Sequence, residues 1–215
     1  MAEVRSLLID SLGPVEREAV VAHLRKREYK RGQVVFNDGD RGDCLHLVQS
    51  GHLDVQVTTL VGQTMTLRVV QPGEFFGELA LVQPNLRRTG RVSALDAVQT
   101  WALHRTDFED LRRRFFGLDR FLVTALAERV IRTSELAVEL LMPAETRLWR
   151  RLAILADAYG DQAIQISQDD LARMVGTVRQ TVNRALQVGV KRGALALQRN
   201  SILVLDRDAL ERLAS

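Results

Sequence analysis

In the stretch GELALVQPNLRRTGRV, Gly77 and Glu78 stand about ten residues ahead of Arg88 and Thr89. Those residue types at that spacing suit the capture of an anion better than the making of bonds. A glycine lets the backbone approach a ligand closely, and a short helix opening at Glu78 and Leu79 would aim free N–H groups at a negative charge. Arg88 supplies a permanent planar cation matched to phosphate oxygens, and Thr89 adds a hydroxyl. Glu78 would repel a phosphate but accepts well from a sugar hydroxyl. The two halves together fit a small molecule with one phosphate and one nearby free hydroxyl, which is the arrangement of a cyclic nucleotide.

A second group lies towards the carboxyl end. From Gly176 to Arg192 there are four basic residues and no Asp or Glu, although residues 139–215 carry 11 basic against 9 acidic side chains. The positive charge is placed rather than abundant. Arg179, Gln180 and Asn183 fall on one helical surface with Arg184 beside them. Arg can bind guanine O6 and N7 in bidentate fashion, and Gln or Asn can do the same to adenine. Thr181, Arg199, Asn200 and Ser201 suit phosphates. A merely solvated basic face is the plain alternative.

Other chemistry is poorly supplied. Cys44 and His46 alternate on one strand and share a face, but with His23, His52 and His104 scattered they make a weak metal or haem site, and none is expected. Neither a Ser-His-Asp arrangement nor a triphosphate loop is visible, which argues against an enzyme. One cysteine excludes an intrachain disulfide framework and fits a cytoplasmic protein. No apolar run approaches the roughly 18 residues of a membrane span, and MAEVRSLLIDSL lacks the pattern of a signal peptide. The net charge of +3 with a pI near 9.5 permits a polyanionic partner without demanding one.

Three kinds of element must position these groups. After a helical start around Pro14 to Arg27, short β-type runs (QVVF, CLHLVQ, HLDVQV, MTLRVV, AVQTWAL) are separated by glycine turns, which predicts a β sandwich or jelly-roll barrel over residues 1–116. HLDVQV alternates apolar and polar, so one face should be buried and the other wet. One long helix without internal Gly or Pro then runs from Leu118 to Met142, within residues 117–142. Leu122, Leu126, Arg129, Thr133, Leu136 and Leu140 follow a 4-3-4-3-4 spacing, the seam of a coiled coil, which predicts a homodimer. Its polar members Arg129 and Thr133 either set the register or are satisfied by a ligand. Residues 143–215 read as a helix opening at Pro143 and stopped by Gly160, then SQDDLARMVG with Ser167 capping three residues before Asp170. Next come a helix from Thr177 and two strands around Arg199, Asn200 and Ser201. That order is a helix-turn-helix with a wing, in an α+β protein overall.

Over nearly its whole length the chain resembles the cyclic-AMP receptor protein and fumarate-nitrate regulator (Crp/Fnr) superfamily of bacterial transcription factors. The resemblance rests on KRGQVVFNDGDRGDCLHLVQSG, PGEFFGELAL, RRT, ERVIRTSE and SQDDLARMVGTVRQTVNRAL. It implies a homodimer that binds a pseudo-palindromic operator in double-stranded DNA under the control of cyclic AMP, with RNA polymerase as a partner through the loop Ala156 to Ala163. It also implies that Gly77 and Glu78 hold the ribose, Arg88 and Thr89 the cyclic phosphate, and Thr133 and Ser134 the adenine, with Arg129 at a basic position of the long helix. Ser167, Thr177, Val178, Arg179, Gln180, Thr181, Asn183, Arg184 and Arg199 fall in its DNA-binding segments.

The chain departs from the family at several of these positions. Gln180 stands where many relatives have Glu, which should change the preferred base; Val178 stands where Ser is frequent. The hinge reads MPAE without the Asp that often caps it, and Thr89 in place of Ser admits cyclic GMP. A regulator with another effector or none stays open, as does a cyclic-nucleotide sensor whose last domain docks a protein.

Overall fold

A computed structural model describes residues 6–58, 62, 64–82 and 87–214. The expectations on the first residues of the chain, and on residues 83–86 of VQPNL, lie outside them. The chain divides into two compact units, Met1–Val57 with Arg68–Thr133, and Thr58–Leu67 with Ser134–Ser215.

The first unit opens with helices α1 (Leu7–Asp10) and α2 (Pro14–Val21). Strand β1 (Arg25–Tyr29) follows, where the helical start was expected to reach Arg27. RKREY has no strand-like pattern; what makes it a strand is backbone pairing, Arg25 opposite Ala102 through Tyr29 opposite Val98 on β8 (Val98–His104). Strands β2 (Val34–Phe36), β3 (Cys44–Ser50), β4 (Leu53–Thr58) and β5 (Thr64–Val70) come next. After β6 (Phe75–Phe76), helix α3 (Leu79–Val82) and β7 (Arg91–Ala94) precede β8. Two four-stranded sheets result, ordered β1-β8-β3-β6 and β2-β7-β4-β5.

Alternation on β3 explains how one strand serves two cores. Leu45 and Leu47 point outward against Leu8, Phe108 and Phe121, side chains of α1, α4 (Arg105–Arg112) and α5 (Gly117–Glu139). Val48 points between the sheets with Leu53, Phe76, Val92 and Val98. The wet face expected for HLDVQV is not wet: Asp54 and Gln56 are buried. The Ser93 hydroxyl donates to Asp54 at 2.6 Å and the Gln56 amide donates to the same carboxylate, so this polar row meets its own needs.

On the long helix α5 one member of the expected seam, Leu122, is taken into the core. Leu122 is 6% exposed and sits in the first unit's core with Leu118, Phe121 and Ala125, so it has no surface left for a partner. Leu126, Arg129 and Leu136 are half-buried. The exposed apolar row lies one residue on, at Val123, Ala127, Val130, Ala137 and Leu141, with Ser134 completing the same 4-3-4-3-4 spacing. The helix ends at Glu139 rather than Met142.

In the second unit α6 (Ala144–Tyr159), α7 (Gln168–Val175) and α8 (Arg179–Lys191) are followed by the hairpin β9 (Leu195–Gln198) and β10 (Ser201–Val204), then α9 (Arg207–Ala214). The last helix was not foreseen. The Ser167 hydroxyl accepts from the Asp170 N–H at 3.1 Å and the Asp170 carboxylate accepts from the Ser167 N–H at 3.1 Å, the reciprocal cap that the sequence predicts. Gly176 closes α7 in the left-handed region at φ 61° and ψ 47°. Residues 156–159 of the expected polymerase loop belong to the last turn of α6. Arg207 donates to the Ala156 carbonyl and to the Asp157 carboxylate there.

Candidate effector cavity and nucleic-acid interface

A cleft enclosing about 460 Å³, part of it open to solvent, lies wholly within the first unit. Gly77, Glu78 and Leu79 line one side, Arg88 and Thr89 another, and Arg129 reaches in from α5. Six of the eight residues singled out for a cyclic nucleotide therefore share one cavity. Thr133 and Ser134 are not among its described lining residues; both are exposed, and the Thr133 hydroxyl donates at 2.8 Å to the Arg129 carbonyl one turn back.

Gly77 is required on two counts. Its φ of +84° is a conformation that other residues rarely adopt, and an added Cβ would stand 2.5 Å from Arg88 Nη1 and 3.0 Å from the Cys44 carbonyl. Arg88 is 7% exposed; its guanidinium donates to the Gly77 carbonyl at 3.2 Å and the Cys44 carbonyl at 2.9 Å, and lies 4.1 Å from the centre of the Phe36 ring. Its Nε is buried with no protein partner, a donor available to an anion. Glu78, 3% exposed, accepts from Arg129 Nη1 at 2.6 Å. This charge pair joins the cavity floor to α5.

Sequence reasoning missed Phe36, Arg68, Phe76 and Arg87, which also line the cleft. Arg68 donates to the Phe75 carbonyl at 2.6 Å, and burial lowers its pKa from the usual arginine value. No local signal distinguishes it, since MTLRVV reads as an ordinary strand. Below Arg88, His46 stacks on Phe76 with ring centres 4.8 Å apart and pairs with Thr100 at 3.1 Å and Cys44 at 3.3 Å. Burial, reinforced by the Arg88 charge, pushes its pKa down to about 3, so the ring is neutral at physiological pH. Burial and the neighbouring Asp43 raise the Cys44 thiol to about 11. Among the described residues no group of three or more His, Cys, Asp or Glu could hold a metal, and no helix is long and apolar enough to cross a membrane.

In the second unit α8 buries Val182, Ala185, Leu186 and Gly189 and leaves Arg179, Gln180, Asn183 and Arg184 exposed on the opposite side. Gln187 extends that face and was not singled out. Thr177 and Thr181 are half-buried, Val178 is exposed at the helix cap, and the Ser167 hydroxyl is taken up by its capping box. Arg199 and Asn200 form the hairpin tip, with Asn200 at φ 56°, a conformation that a short polar side chain tolerates. The hinge lacks a side-chain cap at Pro143, as MPAE implied, and Arg147 spans it on the carbonyl side. Its guanidinium donates to the carbonyls of Leu140 (3.3 Å), Met142 (2.5 Å) and Val175 (2.6 Å).

A basic helix exposed after a glycine-turned helix and beside a hairpin, on the same chain as a phosphate-type cavity, defines a ligand-binding transcription regulator. The chain belongs to the Crp/Fnr family. Its residues 26–115 match the cyclic nucleotide-binding domain and residues 146–213 the Crp-like helix-turn-helix domain. It is similar to the cyclic AMP receptor protein of Thermus thermophilus, 33% identical over 212 residues covering 97% of each chain. It is also 26% identical over 227 residues to the CRP-like cAMP-activated global transcriptional regulator of Mycobacterium tuberculosis, covering 98% of this chain and 97% of the other. Among solved structures, the catabolite activator protein of Thermus thermophilus aligns with TM-score 0.56 at 31% identity, over 97% of this chain and 98% of that one. The c-di-GMP responsive regulator CLP of Xanthomonas campestris aligns with TM-score 0.74 at 21% identity, over 89% and 99%, a likeness of fold.

Proposed function

We propose that this regulator is a homodimer whose binding to DNA is controlled by cyclic AMP. The observation that carries the reading is the Arg129–Glu78 pair beside Arg88. A cyclic phosphate entering at Arg88 brings its ribose hydroxyl to Glu78, the carboxylate that tethers α5, so ligand binding and the position of the long helix draw on the same group. A coupling of about 1 to 3 kcal/mol would make a useful switch. The 33% identical relative named for cyclic AMP supports that nucleotide over cyclic GMP.

The exposed row Val123, Ala127, Val130, Ser134, Ala137 and Leu141 is the surface for a second copy, with Thr133 beside it. Two recognition helices about 34 Å apart would then meet successive major grooves. In that complex Arg179, Gln180 and Asn183 read bases, while Arg184, Thr181, Arg199 and the cap around Ser167 meet phosphates. RNA polymerase is the expected further partner, in the cytoplasm.

The test is a titration of labelled palindromic DNA with and without cyclic AMP, alongside calorimetry of the nucleotide. Expected is tighter DNA binding with the ligand and a saturable heat; no heat at about 1 mM nucleotide would sink the effector assignment. Light scattering on Val130→Glu checks the dimer: the wild type should run as a dimer and the variant as a monomer.

A further inference from the structure

One acid stands against the base-reading surface. Asp169 Oδ2 accepts from Arg179 Nη1 at 3.2 Å. The neighbouring acid, Asp170, is used by the Ser167 cap and by Arg173, whereas Asp169 takes no part in the cap. Asp169 and Arg179 line a cleft with Ser167, Gln168, Arg199 and Asn200, where the starts of α7 and α8 meet the hairpin tip. With side chains 53% and 64% exposed, the pair adds little to folding stability. Beside a polyanion an exposed carboxylate also weakens binding, because it subtracts from the cationic surface that gathers phosphates.

We infer that Asp169 is a specificity-determining residue that holds Arg179 for reading a guanine. The argument rests on the DNA-binding function above. A guanidinium has two donor edges. The carboxylate engages Nη1, and the remaining donors stay free for a bidentate pair with guanine O6 and N7. Without the tether the long side chain samples many rotamers and reaches a phosphate of any sequence, which raises affinity everywhere and reading nowhere. Held by Asp169, it meets the base with less ordering left to do. Part of the attraction for non-specific DNA is given up so that one base pair is read more strictly.

The test uses the full-length protein with cyclic AMP present. A site selected by the wild type from random duplexes is compared with the same site carrying A·T in place of each G·C pair in turn, and with unrelated DNA. Asp169→Ala and Asp169→Asn should bind unrelated DNA about twofold to threefold more tightly. At one G·C position they should lose about tenfold in discrimination. In an Arg179→Ala background Asp169→Ala should no longer change discrimination at that position, while its gain on unrelated DNA persists. The proposal is overturned if both variants strengthen specific and unrelated binding equally, or if the loss at that position survives in the Arg179→Ala background. A wild type that enriches no sequence would instead refute the DNA-reading function itself, and this inference with it.

Discussion

Arg88 of the candidate effector cavity and the arginines of the candidate recognition helix have opposite environments. Arg88 is buried, fixed by two carbonyls and an aromatic ring, and backed by a glycine that leaves no room for error. Arg179 and Arg184 are exposed on a helix whose other face alone is packed. A buried cation is part of the fold that holds it, so its loss should disturb ligand and fold together. An exposed one can be removed with its function and leave the fold untouched.

The sharpest way to break that contrast is Arg88→Leu. It removes the charged partner proposed for the phosphate and leaves the Gly77 and Cys44 carbonyls without their donor, so affinity for the proposed effector, cyclic AMP, should fall at least about 100-fold, near 3 kcal/mol. Thermal unfolding should shift down as well, and a variant that lost the ligand at unchanged melting temperature would show that the cavity's cation is as dispensable to folding as a surface one. Arg179→Ala should cost about 1 to 3 kcal/mol of base discrimination in competition binding with stability within about 0.5 kcal/mol of wild type.

His46 extends the contrast to pH. Its folded pKa, about 3, is below the unfolded value of 6.5, so the unfolded chain binds the extra proton between those limits and stability falls as pH drops through them. The slope should be about 0.7 kcal/mol per pH unit between pH 7 and 6 and approach about 1.4 below pH 6, read from denaturant midpoints at pH 7, 6 and 5, and His46→Phe should flatten it. Ser167→Ala is the smallest change: loss of the cap should destabilise by about 1 kcal/mol, measured by urea unfolding, with effector affinity unaltered.

Legibility in the sequence followed the range of the forces. The helix-turn-helix was readable because Ser167, Asp170 and Gly176 act over a few residues, and the hairpin tip at Asn200 is equally local. The cavity was half readable: the GEL and RRT segments announce themselves, whereas Arg68 and Phe36 reach it only through sheet pairing. Strand β1 was invisible because its order comes from β8 rather than from its own side chains. Leu122, expected on a dimer seam, lies instead in the first unit's core, for a geometric reason. Rows beginning at Leu122 and Val123 share the same spacing, and only the core that swallows Leu122 tells them apart.

The Arg147 guanidinium grips the carbonyls of Leu140 and Met142, in the turn that follows the long helix, and that of Val175 at the end of α7. Within the second unit one side chain therefore links the turn after Glu139 to the corner at Gly176.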